Sequence, residues 1–420
     1  MKHRSSPSFI VSILILGSLA ALGADWPCWR GPDGLGISSE TGFPTRWSKT
    51  ENIRWTYTPG GKGASSPVVV SDRVYLTFQT EDTGMHLVAI QRDTGTVIWD
   101  SELSTGKSHA HDLHNMATPS PVSDGQRIWV RFGTGYIGCV DWAGKQLWHR
   151  DLSKEFGEYH ANHGMGTSPM LNDGILYVAC MHQGPSYFLA LEAVTGKTLW
   201  KKDRMMEPKD EAQDSYSSPI FVRSGAGTQV VLAGAEAVNS YDPKSGDELW
   251  VHGGLRVPHA YGRTISGPTA GDGVVVVVAS GFQNRGYTIA LDAKGHGKRP
   301  ETDRLWTCSK FSPDCGTPLV YRGKVYWMRD DGIASCVDAR TGEAHWQERL
   351  FSANVKVSPV AAEGRVYFLN GQGNCAVVKA STKLEVVSTN ELNEPTLSTP
   401  ALSKGRVFLR TDKHLYCIGQ

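Results

Sequence analysis

Eight prolines mark out a repeat that leaves this chain few ways to fold. Pro67, Pro121, Pro169, Pro219, Pro268, Pro318, Pro359 and Pro400 follow one another at intervals of 41 to 54 residues. Each belongs to a Ser/Thr/Gly-x-Pro element that leads into an apolar strand, a turn, two further strands, a glycine turn and, in most copies, a tryptophan. A unit built from a few short strands cannot bury its apolar faces alone, so successive copies must stack on one another. The interval matches one four-stranded blade. The predicted fold is therefore all-β, an eight-bladed β-propeller of four-stranded blades. The 46 glycines and 13 tryptophans fit such an abundance of tight turns and repeated aromatic packing positions.

The hairpin between the third and fourth strands repeats most sharply, at residues 89–99 (AIQRDTGTVIW), 190–200 (ALEAVTGKTLW) and 336–346 (CVDARTGEAHW). Weaker copies end at Trp148 and Trp250. Asp and Thr side chains in such turns bond local amides, and Gly95, Gly196, Gly246 and Gly342 supply the positive φ that closes a bulged hairpin. Trp99, Trp148, Trp200, Trp250, Trp306 and Trp346 share one position in the outermost strand. Six indoles at one repeat position read as packing between blades, not as six ligand platforms. The last repeat stops after its third strand, while residues 53–57 (IRWTY) carry a tryptophan with no strands before it. Pairing the two ends completes the eighth blade and closes the ring without a free sheet edge.

Ahead of the repeats, Lys2, His3 and Arg4, an apolar stretch from Phe9 to Leu22, and Gly23-Ala24 read as a signal peptide cleaved near Ala24. The expected organisation is signal peptide 1–24, N-terminal extension 25–50 and propeller 51–420, in an exported, periplasmic, monomeric protein with no membrane span after cleavage. Cys28 lacks the small aliphatic neighbours of a lipoprotein cleavage site, so no lipid anchor is expected. The net charge of +1 falls to −1 once Lys2 and Arg4 are removed, and no basic stripe is present, which argues against nucleic acid. Cys139, Cys336, Cys375 and Cys417 recur at or next to one repeat position inside apolar strands and read as buried thiols. Cys308 and Cys315 flank a short irregular loop and form a possible disulfide.

The A-x-D-x-x-T-G-x-x-x-W pattern resembles the PQQ-like repeat family over about residues 50–419. The resemblance implies one of two branches: quinoprotein alcohol dehydrogenases, which hold pyrroloquinoline quinone and calcium at the top of the ring, or the BamB-like, non-enzymatic scaffolds. The enzymes sandwich their quinone between an adjacent Cys-Cys disulfide and a tryptophan, and no two cysteines are adjacent here. The opening DWPCWRGP resembles the start of exported PQQ-like proteins of unassigned function. No cofactor is predicted; pyrroloquinoline quinone or a divalent metal is the alternative.

Histidines cluster ahead of the inner strands: His109, His111 and His114 before the second blade, His160 and His163 before the third, and His259 before the fifth. Such connections gather on one face around the channel. His111, His160, His163, Asn162 and Arg263 are the candidate ligand site there, with His109, His111, His114, His160 and His163 as weak metal candidates, since their spacing matches no fixed motif. The competing reading is that they are polar rim residues. The leading expectation is a binding or scaffold module that presents this face to a protein partner or small ligand. The alternative is a quinone- or metal-dependent oxidoreductase using the same histidines. A third reading, polysaccharide binding, relies on exposed Tyr136, Tyr159 and Tyr261.

Overall fold

The computed structural model describes residues 25–204, 210–224, 227–281, 285–352 and 354–419, so the expected signal peptide lies outside the described residues. Eight antiparallel sheets form an eight-bladed propeller, each running outwards from the strand that follows one of the eight prolines. The innermost strands of neighbouring blades touch one another around the axis, from Val68–Val70 to Ala401–Ser403. Ile53–Tyr57 pairs antiparallel with Leu415–Ile418, Trp55 opposite Cys417, and so supplies the outer strand of the eighth blade. The ring closes as the sequence predicts.

The glycine turns show why the motif couples a glycine to a tryptophan. Gly196 has φ +72°, and a Cβ there would lie 2.7 Å from Trp148 of the preceding blade. Gly95 meets Trp55, Gly144 meets Trp99, Gly246 meets Trp200 and Gly342 meets Trp306 in the same way. Each indole also donates to a carbonyl of that turn, for example Trp148 Nε1 to Ala193 at 3.0 Å and Trp306 Nε1 to Ala339 at 3.0 Å. The flat ring thus lies on a surface that only glycine leaves open.

The fifth blade departs from the pattern. Its third and fourth strands are separated by a long connection in which Gly297–Arg299 pairs parallel with Glu248–His252, so the fourth blade gains a fifth strand. Arg299 places its guanidinium over Trp250, 5.3 Å from the ring centroid, where Trp55, Trp99, Trp148, Trp200 and Trp306 each meet a turn glycine. A short helix, Leu152–Phe156, also stands where no helical period was legible; Asp151 caps it by accepting from the Lys154 amide, and Gly157 follows it at φ +110°.

Around the axis the residue before each proline builds a second closure. Seven backbone amides donate to hydroxyls of the next blade at 2.8–3.4 Å: Ser66 to Ser120, Ser120 to Ser168, Ser168 to Ser218, Gly267 to Thr317, Thr317 to Ser358, Ser358 to Thr399, and Thr399 back to Ser66. The one missing link falls at Gly267, which has no hydroxyl. The indole of Trp29 lies 3.4 Å from where its Cβ would be. Fully buried Arg131 and Arg410 clasp blades similarly, reaching the next blade's Thr167 and Ser65 hydroxyls at 2.5 and 2.6 Å.

Residues 25–50 run across one face of the ring. Trp26 bridges to Val69, Ser123 donates to the Pro27 carbonyl, Asp33 pairs with Arg223, and Ser38 bonds Ala361. All these partners lie in inner strands beyond the prolines, so the extension crosses the channel from blade to blade. Arg30, fully buried, donates to the carbonyls of Thr317, Leu35 and Pro318 at 2.8–3.1 Å. The chain then follows the seventh blade, with Trp47 bonded to Asn390, and enters Ile53–Tyr57. One end of the channel is thereby plugged.

Candidate functional site

The opposite end of the channel is open and holds a cavity of about 870 Å³, which Trp29 and four of the serines before proline line from below. Its wall follows from strand geometry. Side chains alternate in extended backbone, so if the residue before each proline faces the axis, the residue two positions earlier does too. Those eight residues, Ala64, Thr118, Gly166, Tyr216, Ile265, Cys315, Lys356 and Leu397, all line the cavity.

Above them the connecting loops bring charge together. Glu211, with a side chain only 3% exposed, approaches His163 Nδ1 at 3.0 Å and Arg263 Nε at 3.4 Å. Arg263, 10% exposed, continues towards Asp314 Oδ2 at 4.0 Å and donates to the Tyr261 carbonyl at 2.6 Å. Lys356 is ion-paired with Asp330 and lies 3.4 Å from Cys315 Sγ. Tyr216 donates to Asp214 at 3.2 Å, and the His163 ring is 3.2 Å from the Tyr216 hydroxyl.

Burial governs the charge states. It pushes the carboxyls of Glu211, Asp214 and Asp314 above the usual range, with Arg263 working against the shift at all three. Burial, then Arg263 and His111, push the His163 imidazole down to about 4, so it is neutral at pH 7. Burial also lowers His114 and raises the Cys315 thiol. At Lys356 burial opposes the charge, but Cys315 and Asp330 outweigh it and hold the ammonium above its ordinary range.

The histidine candidates divide. His111 and His163 stack with ring centroids 5.0 Å apart, and both line the cavity with His114, Asn162 and Arg263. His109 bonds the Asn162 carbonyl at 2.7 Å and braces that loop. His160 is exposed and sits 6.4 Å from His182, outside the cavity wall; buried His182 anchors this turn by accepting from the His160 and Gly184 amides. Cys308 and Cys315 are free thiols: Cys308 ends the outer strand Arg304–Cys308, whereas Cys315 faces the channel beside Lys356. The other four repeat cysteines are buried and free, as expected. The aromatic surface proposed for polysaccharide is not formed, because Tyr136 is 6% exposed and Tyr159 packs against Arg131; Tyr261 alone of the three is exposed.

Glu211, Tyr216, Asp314, Cys315, Lys356 and Trp29 went unnoticed as site residues in the sequence. Counting back three positions from each proline would have found Tyr216, Cys315 and Lys356; no repeat signal marks Glu211. Asp314, Cys315 and Asp330 offer ligand atoms within 4.8 Å of one another. The Lys356 ammonium already contacts two of the three, so these residues as arranged do not fit a metal ion. A quinone sandwich is not matched either, since the cavity presents Trp29 opposite no cysteine pair.

A family model described as outer membrane protein assembly factor BamB matches residues 38–178, 84–348 and 330–418. The chain belongs to that family. The BamB of Yersinia pestis is 21% identical over 321 residues, 74% of each chain, and that of Moranella endobia 26% identical over 202 residues, 45% of this chain and 49% of that one. Among solved structures, a europium-containing methanol dehydrogenase superposes with TM-score 0.69 at 11% identity, covering 92% of this chain and 89% of its own. BamB from Moraxella catarrhalis gives TM-score 0.59 at 13% identity, covering 86% and 97%. At such identity the structural likenesses establish the fold alone, and this BamB-family propeller shares it with a BamB and a methanol dehydrogenase alike. Among the described residues no helix is long and apolar enough to cross a membrane.

Proposed function

We propose that this chain is an exported, periplasmic binding module of the scaffold type, acting as a monomer, and that its protein partner or small ligand seats in the open mouth of the channel. The observation that carries this reading is the blind cup: a rigid ring plugged at one end by Arg30 and Trp29, and open at the other onto a cavity walled by buried charged groups. Concave, preformed sites with a few convergent polar groups are where ligands bind. The contact of His163 with Glu211 and the ion pairs of Arg263 with Glu211 and Asp314 fix the shape of that wall. Kinship with proteins named as assembly factors supports a protein partner.

The competing reading is a quinone-dependent oxidoreductase. Calorimetric titration of residues 25–420 with pyrroloquinoline quinone in the presence of calcium separates the two. The binding-module reading predicts no heat above dilution. Saturable one-to-one binding would overturn it.

A further inference from the structure

The floor of the cup carries hydroxyl groups with nothing to donate to. Ser66, Ser120, Ser168 and Ser218 line the cavity and are 1–4% exposed. Each Oγ accepts a backbone amide of the preceding blade, which uses it as an acceptor only. None of the four donates to a protein acceptor among the described residues. The hydroxyls one position earlier in the chain do: Ser65 donates to the Thr77 carbonyl, Thr167 to Ala179, Ser217 to Ala233 and Ser398 to Ser65. A hydroxyl is donor and acceptor at once, and buried donors are almost always matched. The channel is the side from which an acceptor can reach these four.

The charge around the floor is positive. Arg30, Arg131 and Arg410 are 0–2% exposed, and each holds a residue of the hydroxyl ring or its neighbour: Arg30 the Thr317 carbonyl, Arg131 the Thr167 hydroxyl, Arg410 the Ser65 hydroxyl. These partners are neutral, and among the described residues no carboxylate forms an ion pair with any of the three guanidinium groups. Burial pushes the Arg30 guanidinium down to about 9, as expected of a charge without a counterion. Such a cation keeps a desolvation penalty that an anion relieves. At the mouth, Glu211 and Asp314 are each set against Arg263, and they disfavour a ligand with two negative charges. Ala64, Ile265 and Leu397 give the cavity apolar surface, and Trp29 lies over Gly267, the position after Ser218 around the ring.

We propose that the floor of the cup binds the carboxylate of an organic monoanion, either a free short-chain acid or the C-terminus of a partner chain, with its oxygens accepting from the Ser168 and Ser218 hydroxyls and its carbon chain against Trp29. This rests on the reading of the cup as the ligand site, and it specifies the chemistry that site selects.

The test is ligand-observed saturation-transfer NMR on the protein, purified from an exporting host, with four probes: butyrate, N-acetyl-leucine, butylamine and inorganic phosphate. The two carboxylates bind saturably and the other two do not. Tighter binding of butyrate identifies a free acid as the source, and tighter binding of N-acetyl-leucine a chain terminus. Ser168→Ala and Ser218→Ala each weaken carboxylate binding roughly tenfold, the cost of losing one hydrogen bond to a charged group. Ser168→Thr restores it, since the ring already carries threonine at positions 317 and 399. Thermal melts confirm that each variant is folded, and either alanine variant alone suffices if the other is not. Carboxylate affinity unchanged in the folded alanine variants, or no response to either carboxylate, overturns the assignment. Butylamine or phosphate binding in place of the carboxylates also overturns it, while leaving the cup as a binding site.

Discussion

At the scale of single residues, the contact between Trp148 and Gly196 explains the repeat motif. The sequence shows that a glycine is needed for positive φ, but not that an indole from the blade before lies on it. Gly196→Ala therefore meets two costs, left-handed backbone strain and a Cβ 2.7 Å from the ring. It should destabilise the protein by about 2–4 kcal/mol in urea titration. Gly267 is the control: its absent Cβ would meet nothing closer than 3.4 Å and no positive φ is required, so Gly267→Ala should cost less than about 1 kcal/mol. Equal losses would show that the indole contact carries no weight. The candidate site was only partly legible at this scale. Histidines and Arg263 stand out by type, and His111, His163 and Arg263 do reach the cavity. His160 does not, because a one-residue difference along a loop turns a side chain away and composition carries no register.

Elements were more readable than residues, because each blade repeats the same strand signals and errors in one copy are corrected by the others. The ring closure between residues 53–57 and the last repeat was foreseeable from what each end lacked. The parallel strand Gly297–Arg299 was not: three residues have no periodicity of their own and form a strand only against the edge of Glu248–His252. The closing strand offers a test. Trp55 packs on Gly95 and donates to the Arg92 carbonyl at 2.9 Å, as Trp99 does towards Gly144 and Trp142. Trp55→Ala and Trp99→Ala should each cost about 3–5 kcal/mol. Only Trp55→Ala loosens the strand that covers the edge of Leu415–Ile418, so light scattering should show self-association in that variant alone. Association of neither or of both would contradict a ring held shut at that strand.

For the whole molecule, the consequence of the fold is polarity along its axis. The chain arrives at the plugged end, where the extension links inner strands from the first blade to the seventh, and only then builds the ring that opens on the other side. Which strands residues 25–50 reach was not legible in the sequence, because the partners of Trp26, Arg30 and Ser38 are carbonyls and amides of remote blades. It gives the protein one face where a ligand can enter, ringed by Leu113 and Tyr261, which are 57% and 54% exposed. The most direct test is site-specific photo-crosslinking in the exporting cell, with benzoylphenylalanine at Leu113, at Tyr261, and at Leu147 on the outer rim of the second blade. The account predicts one discrete crosslinked partner shared by the two mouth positions and absent from Leu147. Crosslinks from Leu147 with none from the mouth would place recognition on the rim and contradict the cup as the working surface.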